Sequence, residues 1–136
     1  MNNLKILIID DSKTIRESLK KLLSSYGIRS SFIFDTESPK EGLDMLNNNE
    51  FDLIFVDYEM PEMGGLEWTK IVRKTHNKKE LPIILITGIA SRNEIVNIIR
   101  QGVNNYIIKP FQSLLVEEKI RFTMGIPLRE QNKEDK

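Results

Sequence analysis

The sequence predicts a single α/β domain built on a doubly wound parallel sheet of five strands. Three observations lead there. Short, continuous apolar runs recur along the chain, amphipathic stretches of helical length separate them, and most of the runs end in a polar or charged residue. Continuous apolar strands belong in a sheet buried on both faces. Strand–helix units in series give a parallel sheet with helices on both sides, and right-handed crossovers leave few topologies.

The first strand is Ile6-Leu7-Ile8-Ile9, closed by Asp10-Asp11. Ile15, Leu19, Leu22, Leu23 and Tyr26 then recur at helical spacing, with Gly27 as the C-terminal cap. A weaker second strand is expected over Ser31-Phe32-Ile33-Phe34. Ser38-Pro39-Lys40-Glu41 is a capping box with proline at the first helical position, so a helix should run to about Asn47. The third strand, Leu53-Ile54-Phe55-Val56, ends at Asp57. A turn-rich stretch from Met60 to Gly65 precedes a helix over about Leu66 to Lys74. The fourth strand, Ile83-Ile84-Leu85-Ile86, ends at Thr87. Ser91-Arg92-Asn93-Glu94 opens the next helix, which stops at Gly102. The fifth strand, Tyr106-Ile107-Ile108, runs into Lys109-Pro110. A last helix covers about Gln112 to Thr123. Residues 1–124 form the domain, and 125–136 read as a polar tail or the start of a linker.

Composition narrows the function. The 136 residues carry 20 basic and 20 acidic side chains, so the formal charge is zero. A nucleic-acid binder usually needs a basic surplus, so direct nucleic-acid contact is not expected. There is no cysteine, which excludes disulfides and thiolate metal sites. The apolar segment before Asp10 is too short for a signal peptide and no run reaches membrane-spanning length, so a soluble cytoplasmic protein is expected.

Chemistry concentrates at one rim. Ligands of doubly wound sheets bind beyond the carboxyl ends of the strands. Asp10-Asp11, Asp57, Thr87 and Lys109 all lie at such ends. Three carboxylates repel one another unless a cation or proton compensates, and an oxygen-only donor set suits Mg²⁺. A carboxylate nucleophile, a metal, a lysine and a hydroxyl together suit phosphoryl transfer onto Asp57. Taken singly, each residue has a plainer role: Asp10 or Asp11 as a helix cap, Asp57 as a loop acid, Tyr106 as strand filling. His76 reads as a solvated loop residue, and Met60 and Met63 as packing residues.

From about Lys5 to Thr123 the chain resembles the receiver domains of two-component response regulators, the CheY-like family. The resemblance rests on Asp10-Asp11, Asp57, Met60-Pro61 with Gly65, Thr87, and Tyr106 with Lys109-Pro110, in that order. It implies the flavodoxin-like strand order 2-1-3-4-5. Asp57 would be the phosphoacceptor. Asp10, Asp11, Asp57 and the backbone carbonyl of Glu59 would ligate Mg²⁺. Lys109 would pair with the phosphoryl group, Thr87 and Tyr106 would switch, and the Lys109-Pro110 bond would be cis. The donor would be a histidine kinase or phosphotransfer protein. The downstream target would meet the face of the fourth helix, fifth strand and fifth helix, and the family also includes phosphorylation-dependent homodimers. The Glu59 side chain and Ile89 would set the phosphoryl lifetime. Such a domain is a signalling switch rather than an enzyme. Two alternatives stand beside it: a phosphorylation-independent scaffold, and a haloacid-dehalogenase-type phosphatase, whose motif usually has an acid where this chain has Ser12.

Overall fold

The computed structural model describes residues 1–88 and 91–128. Ile89, Ala90 and the tail from 129 onward, with the expectations placed on them, lie outside the described residues. The elements alternate: β1 (Ile6–Ile9), α1 (Lys13–Ser25), β2 (Ile33–Thr36), α2 (Pro39–Asn48), β3 (Leu53–Asp57), α3 (Gly65–Arg73), β4 (Ile83–Thr87), α4 (Arg92–Arg100), β5 (Asn105–Ile108) and α5 (Ser113–Met124). All strand pairings are parallel, in the order β2-β1-β3-β4-β5. This is the doubly wound sheet that the apolar runs predict.

One strand is displaced from its expected place. Ser30–Phe32 form a short 3-10 turn, and β2 runs over Ile33–Thr36. The strand therefore ends in Asp35 and Thr36, polar residues that mask it in the sequence. Asp35 is tolerated because Arg16 Nε (2.8 Å) and Lys20 Nζ (3.1 Å) reach it from α1. The buried Thr36 hydroxyl accepts from the Ser38 N–H at 3.1 Å.

The sheet divides the core by residue parity, as strand geometry requires. Ile6, Ile8, Phe55 and Ile86 face Leu19 and Leu23 of α1 and Val116 and Ile120 of α5. Leu7, Ile9, Ile54 and Leu85 face the other layer, with Trp68 and Val72 of α3 and Ile98 of α4. Burying each such side chain fully is worth about 1.5–3 kcal/mol. Trp68 is fully buried, and its indole N–H donates to the Pro39 carbonyl at 2.9 Å, tying α3 to α2. Ser12, Ser38 and Ser91 cap α1, α2 and α4 through their side-chain oxygens.

The amino ends of β4 and β5 are fastened by Arg73 at the end of α3. Its guanidinium donates to the carbonyls of Gly102 (2.8 Å) and Leu81 (2.8 Å) and to Asn104 Oδ1 (2.9 Å). Gly102, which ends α4, has φ +112°, a conformation that favours glycine.

Candidate functional site

Parallel strands in register deliver their last residues to a common edge. β1 hands over to Asp10, β3 ends in Asp57, and β4 ends in Thr87. Asp57 pairs with Ile86, so Thr87 lies one step farther along the neighbouring strand. The backbone N–H of Lys109 donates to the Thr87 carbonyl at 2.8 Å, fixing the exit of β5 to the end of β4. The Lys109-Pro110 peptide bond is cis, as the family resemblance implies.

The charges converge. Lys109 Nζ lies 3.1 Å from Asp57 Oδ1 and 3.6 Å from Asp10 Oδ2. Asp10 is fully buried and Asp57 is 3% exposed. Asp11 is exposed, yet one carboxylate oxygen from each of Asp10, Asp11 and Asp57 falls within 4.8 Å of the others. Asp57 Oδ1 also receives the Glu59 N–H at 3.4 Å, while the Glu59 side chain is exposed.

One lysine does not balance this cluster. Burial, then the negative charge of Asp10, pushes the Asp57 carboxyl up to about 6 against the opposing pull of Lys109. Burial likewise raises Asp10, opposed by the Ser12 N–H and by Lys109. Asp10 Oδ1 accepts that N–H at 2.9 Å, but Oδ2 is buried with no hydrogen-bond partner. An orphaned buried carboxylate oxygen among oxygen-only donors fits a hard divalent cation. Helix capping does not account for the acids, because Ser12 is the cap, accepting from the Ile15 N–H at 3.3 Å.

Gly65 stands at the start of α3 because nothing larger fits. A Cβ there would lie 2.4 Å from the Asp57 carbonyl oxygen and 2.8 Å from Leu85 Cδ1. The close approach is held by the Gly65 N–H, which donates to the Tyr58 carbonyl at 3.0 Å.

Tyr106 is set back from the rim. It pairs with Leu85, two residues before Thr87, and its half-buried ring packs on the core layer shared with α3 and α4. His76 lies away from the rim, its Nδ1 2.9 Å from the Thr75 hydroxyl. Met60 and Met63 pack against that same core layer.

Sequence reading missed Arg16. Its Nη1 donates to the Asp10 carbonyl at 2.8 Å while Nε holds Asp35, so α1 orients the acidic loop from outside the cluster. No spacing signals this link, because it depends on the register of β2 against β1.

Comparisons with known proteins agree with this geometry. Residues 6–121 match the model of the response regulator receiver domain. Chemotaxis protein CheY1 of Helicobacter pylori strain J99 is 37% identical over 123 residues, covering 90% of this chain and 98% of the relative. Chemotaxis protein CheY-3 of Vibrio cholerae is 37% identical over 121 residues, covering 87% of this chain and 89% of the relative. The solved receiver domain of the Francisella response regulator 1452 superposes with a TM-score of 0.79 at 28% identity, covering 90% of this chain and 98% of that one. With its acidic rim set on a sheet of this order, the chain belongs to the response regulator receiver domains of two-component signalling.

Proposed function

We propose that Asp57 accepts a phosphoryl group from the phosphohistidine of a histidine kinase or phosphotransfer protein, and that the aspartyl-phosphate switches a partner-binding face. The observation that carries this reading is the buried Asp57 carboxylate, 3.1 Å from Lys109 within a three-carboxylate cluster. A value of about 6 leaves Asp57 mostly ionised at neutral pH, as a nucleophile must be. A P–O bond forms to an Asp57 oxygen while the P–N bond of the donor breaks, its electron pair returning to the imidazole nitrogen. Asp10, Asp11, Asp57 and the Glu59 carbonyl would hold Mg²⁺, which neutralises phosphoryl charge when bound. Lys109 places its ammonium against the incoming oxygens.

Phosphorylation adds about 1.5–2 negative charges to a site that is already acidic. The new oxygens are best satisfied by Lys109 and by the Thr87 hydroxyl, and the movement of Thr87 opens space for Tyr106. The face of α4, β5 and α5 then changes shape for a downstream partner. In this reading the protein acts in the cytoplasm as a switch, not as a turnover enzyme. No helix among the described residues is long and apolar enough to cross a membrane. The exposed Glu59 side chain tunes the lifetime of the phosphoryl group, so Glu59→Ala should change autodephosphorylation.

Intact mass after incubation with acetyl phosphate and Mg²⁺ tests the reading. A Mg²⁺-dependent gain of one phosphoryl group, absent in Asp57→Ala, is expected. A gain that survives in the variant would place the phosphoacceptor elsewhere. No gain with either acetyl phosphate or a phosphohistidine donor would leave a phosphorylation-independent scaffold.

A further inference from the structure

Tyr106 is held by a residue outside the rim. Lys119 of α5 places Nζ 3.9 Å from the centroid of the Tyr106 ring, well inside the range of a cation–π contact. The same ammonium donates to Asn105 Oδ1 at 3.2 Å. Asn105 is itself fixed, because its Nδ2 donates to Thr123 Oγ1 at 3.1 Å and its Oδ1 accepts the Tyr106 N–H at 2.9 Å. Lys119 has no carboxylate partner among the described residues, so the ring and one amide oxygen are what its charge meets. Partial burial pulls its ammonium below the usual lysine range, so it has surrendered hydration that the ring replaces in part. The Tyr106 hydroxyl makes no hydrogen bond among the described residues, so the Lys119 ammonium is the polar group that meets the ring in this conformation.

We propose that Lys119 is a positioning residue that latches Tyr106 in its resting rotamer and thereby sets the threshold of the switch. The proposal rests on the reading of Tyr106 as a mobile side chain given above. Staggered rotamers are discrete, and a change of χ1 swings a tyrosine ring by several ångströms, breaking a contact made at 3.9 Å. The contact stabilises one rotamer only, which is the condition for shifting an equilibrium. The ammonium is pre-fixed by Asn105, so little side-chain freedom is spent in making it. Loss of the charge should raise the inward population of Tyr106 in the unphosphorylated protein by about 2- to 30-fold, the span between exposed and desolvated cation–π pairs.

The test is ¹⁹F NMR of protein labelled with 3-fluorotyrosine, with Tyr106 assigned through Tyr106→Phe and solvent shielding read from the H₂O/D₂O shift. Lys119→Met keeps most of the stem and deletes the charge. Lys119→Arg restores a cation that stacks on aromatic faces. In the absence of any phosphodonor, the shielded Tyr106 population should grow in Lys119→Met and return toward the parent value in Lys119→Arg. An unchanged Tyr106 signal in Lys119→Met overturns the latch, even if the urea midpoint falls, because Lys119 would then only pack α5. Equal changes in both variants also overturn it, since charge would not be the cause. The readout needs no phosphodonor, so a failure of Asp57 to accept phosphate would refute the proposed function without touching this result.

Discussion

Replacing Asp57 by asparagine removes the function proposed for it, and the structure indicates that it should also make the protein more stable. Burial and the charge of Asp10 raise the Asp57 carboxyl from its ordinary 3.8 to about 6. Each unit is worth about 1.4 kcal/mol, so the ionised carboxylate burdens the native state by about 3 kcal/mol at neutral pH. An acid raised in the folded state contributes its full stability below its unfolded value, and that contribution is lost as pH rises through the folded value. The burden is therefore absent below about pH 4 and complete above about pH 7. Asparagine keeps the shape, deletes the charge, and gives up a charged hydrogen bond from Lys109 worth about 1.5–3 kcal/mol. That bond already opposes the shift, so a net gain of about 1–3 kcal/mol is expected for Asp57→Asn at pH 7.5 without metal. Urea denaturation in EDTA across pH 4 to 8 measures it. The two proteins should converge toward pH 4 and separate as pH rises. Equal stability at pH 7.5, or a less stable variant, would refute the account of a charge-frustrated rim.

The same frustration should make the parent protein respond to cations. Saturating Mg²⁺ at about 100 times its dissociation constant should raise unfolding free energy by about 2.7 kcal/mol, and Asp11→Asn should abolish most of that rise in a thermal melt. Gly65→Ala forces a Cβ against the Asp57 carbonyl and Leu85, so a loss of about 1–3 kcal/mol is expected in urea together with slower phosphorylation; a variant as stable and as reactive as the parent would contradict the packing described. Burial alone would raise the Asp35 carboxyl, but the bonds from Arg16 and Lys20 hold it below its usual range. Its contribution is present above the unfolded carboxylate value and lost as pH falls through the lower folded value, so Asp35→Asn should cost about 1 kcal/mol at pH 7, and the cost should shrink as pH falls below the ordinary carboxylate range.

Much of the architecture was legible because each central strand is a continuous apolar run, a pattern suited only to a sheet covered on both faces. β2 lies two residues later than its apolar run suggests, because it ends in two polar residues: Asp35 is accommodated by Arg16 and Lys20 of α1, and Thr36 by the Ser38 N–H. The rim was legible for a related reason: polar residues at the ends of apolar strands have one place to go. The links made by Arg16, Arg73 and Lys119 were not legible. Each joins elements distant in sequence, or turns on a side-chain direction, and neither residue type nor spacing encodes such a meeting.

Arg73 gives the two ends of the sheet opposite mechanical characters. At the carboxyl rim, like charges press apart, and Lys109 alone does not balance them. At the other rim, one guanidinium binds the loops after α3 and α4 into a single knot through carbonyl and amide oxygens. Helix α4 is thus anchored at its tail and lies nearer the reacting end at its head. If Asp57 is phosphorylated as proposed, a helix held this way would act as a lever on a fixed fulcrum, turning a change of an ångström or so near Thr87 into a tilt of its exposed side. Hydrogen exchange would read the difference as slow amides around Gly102–Asn104 in both signalling states, with changes confined to the first turn of α4.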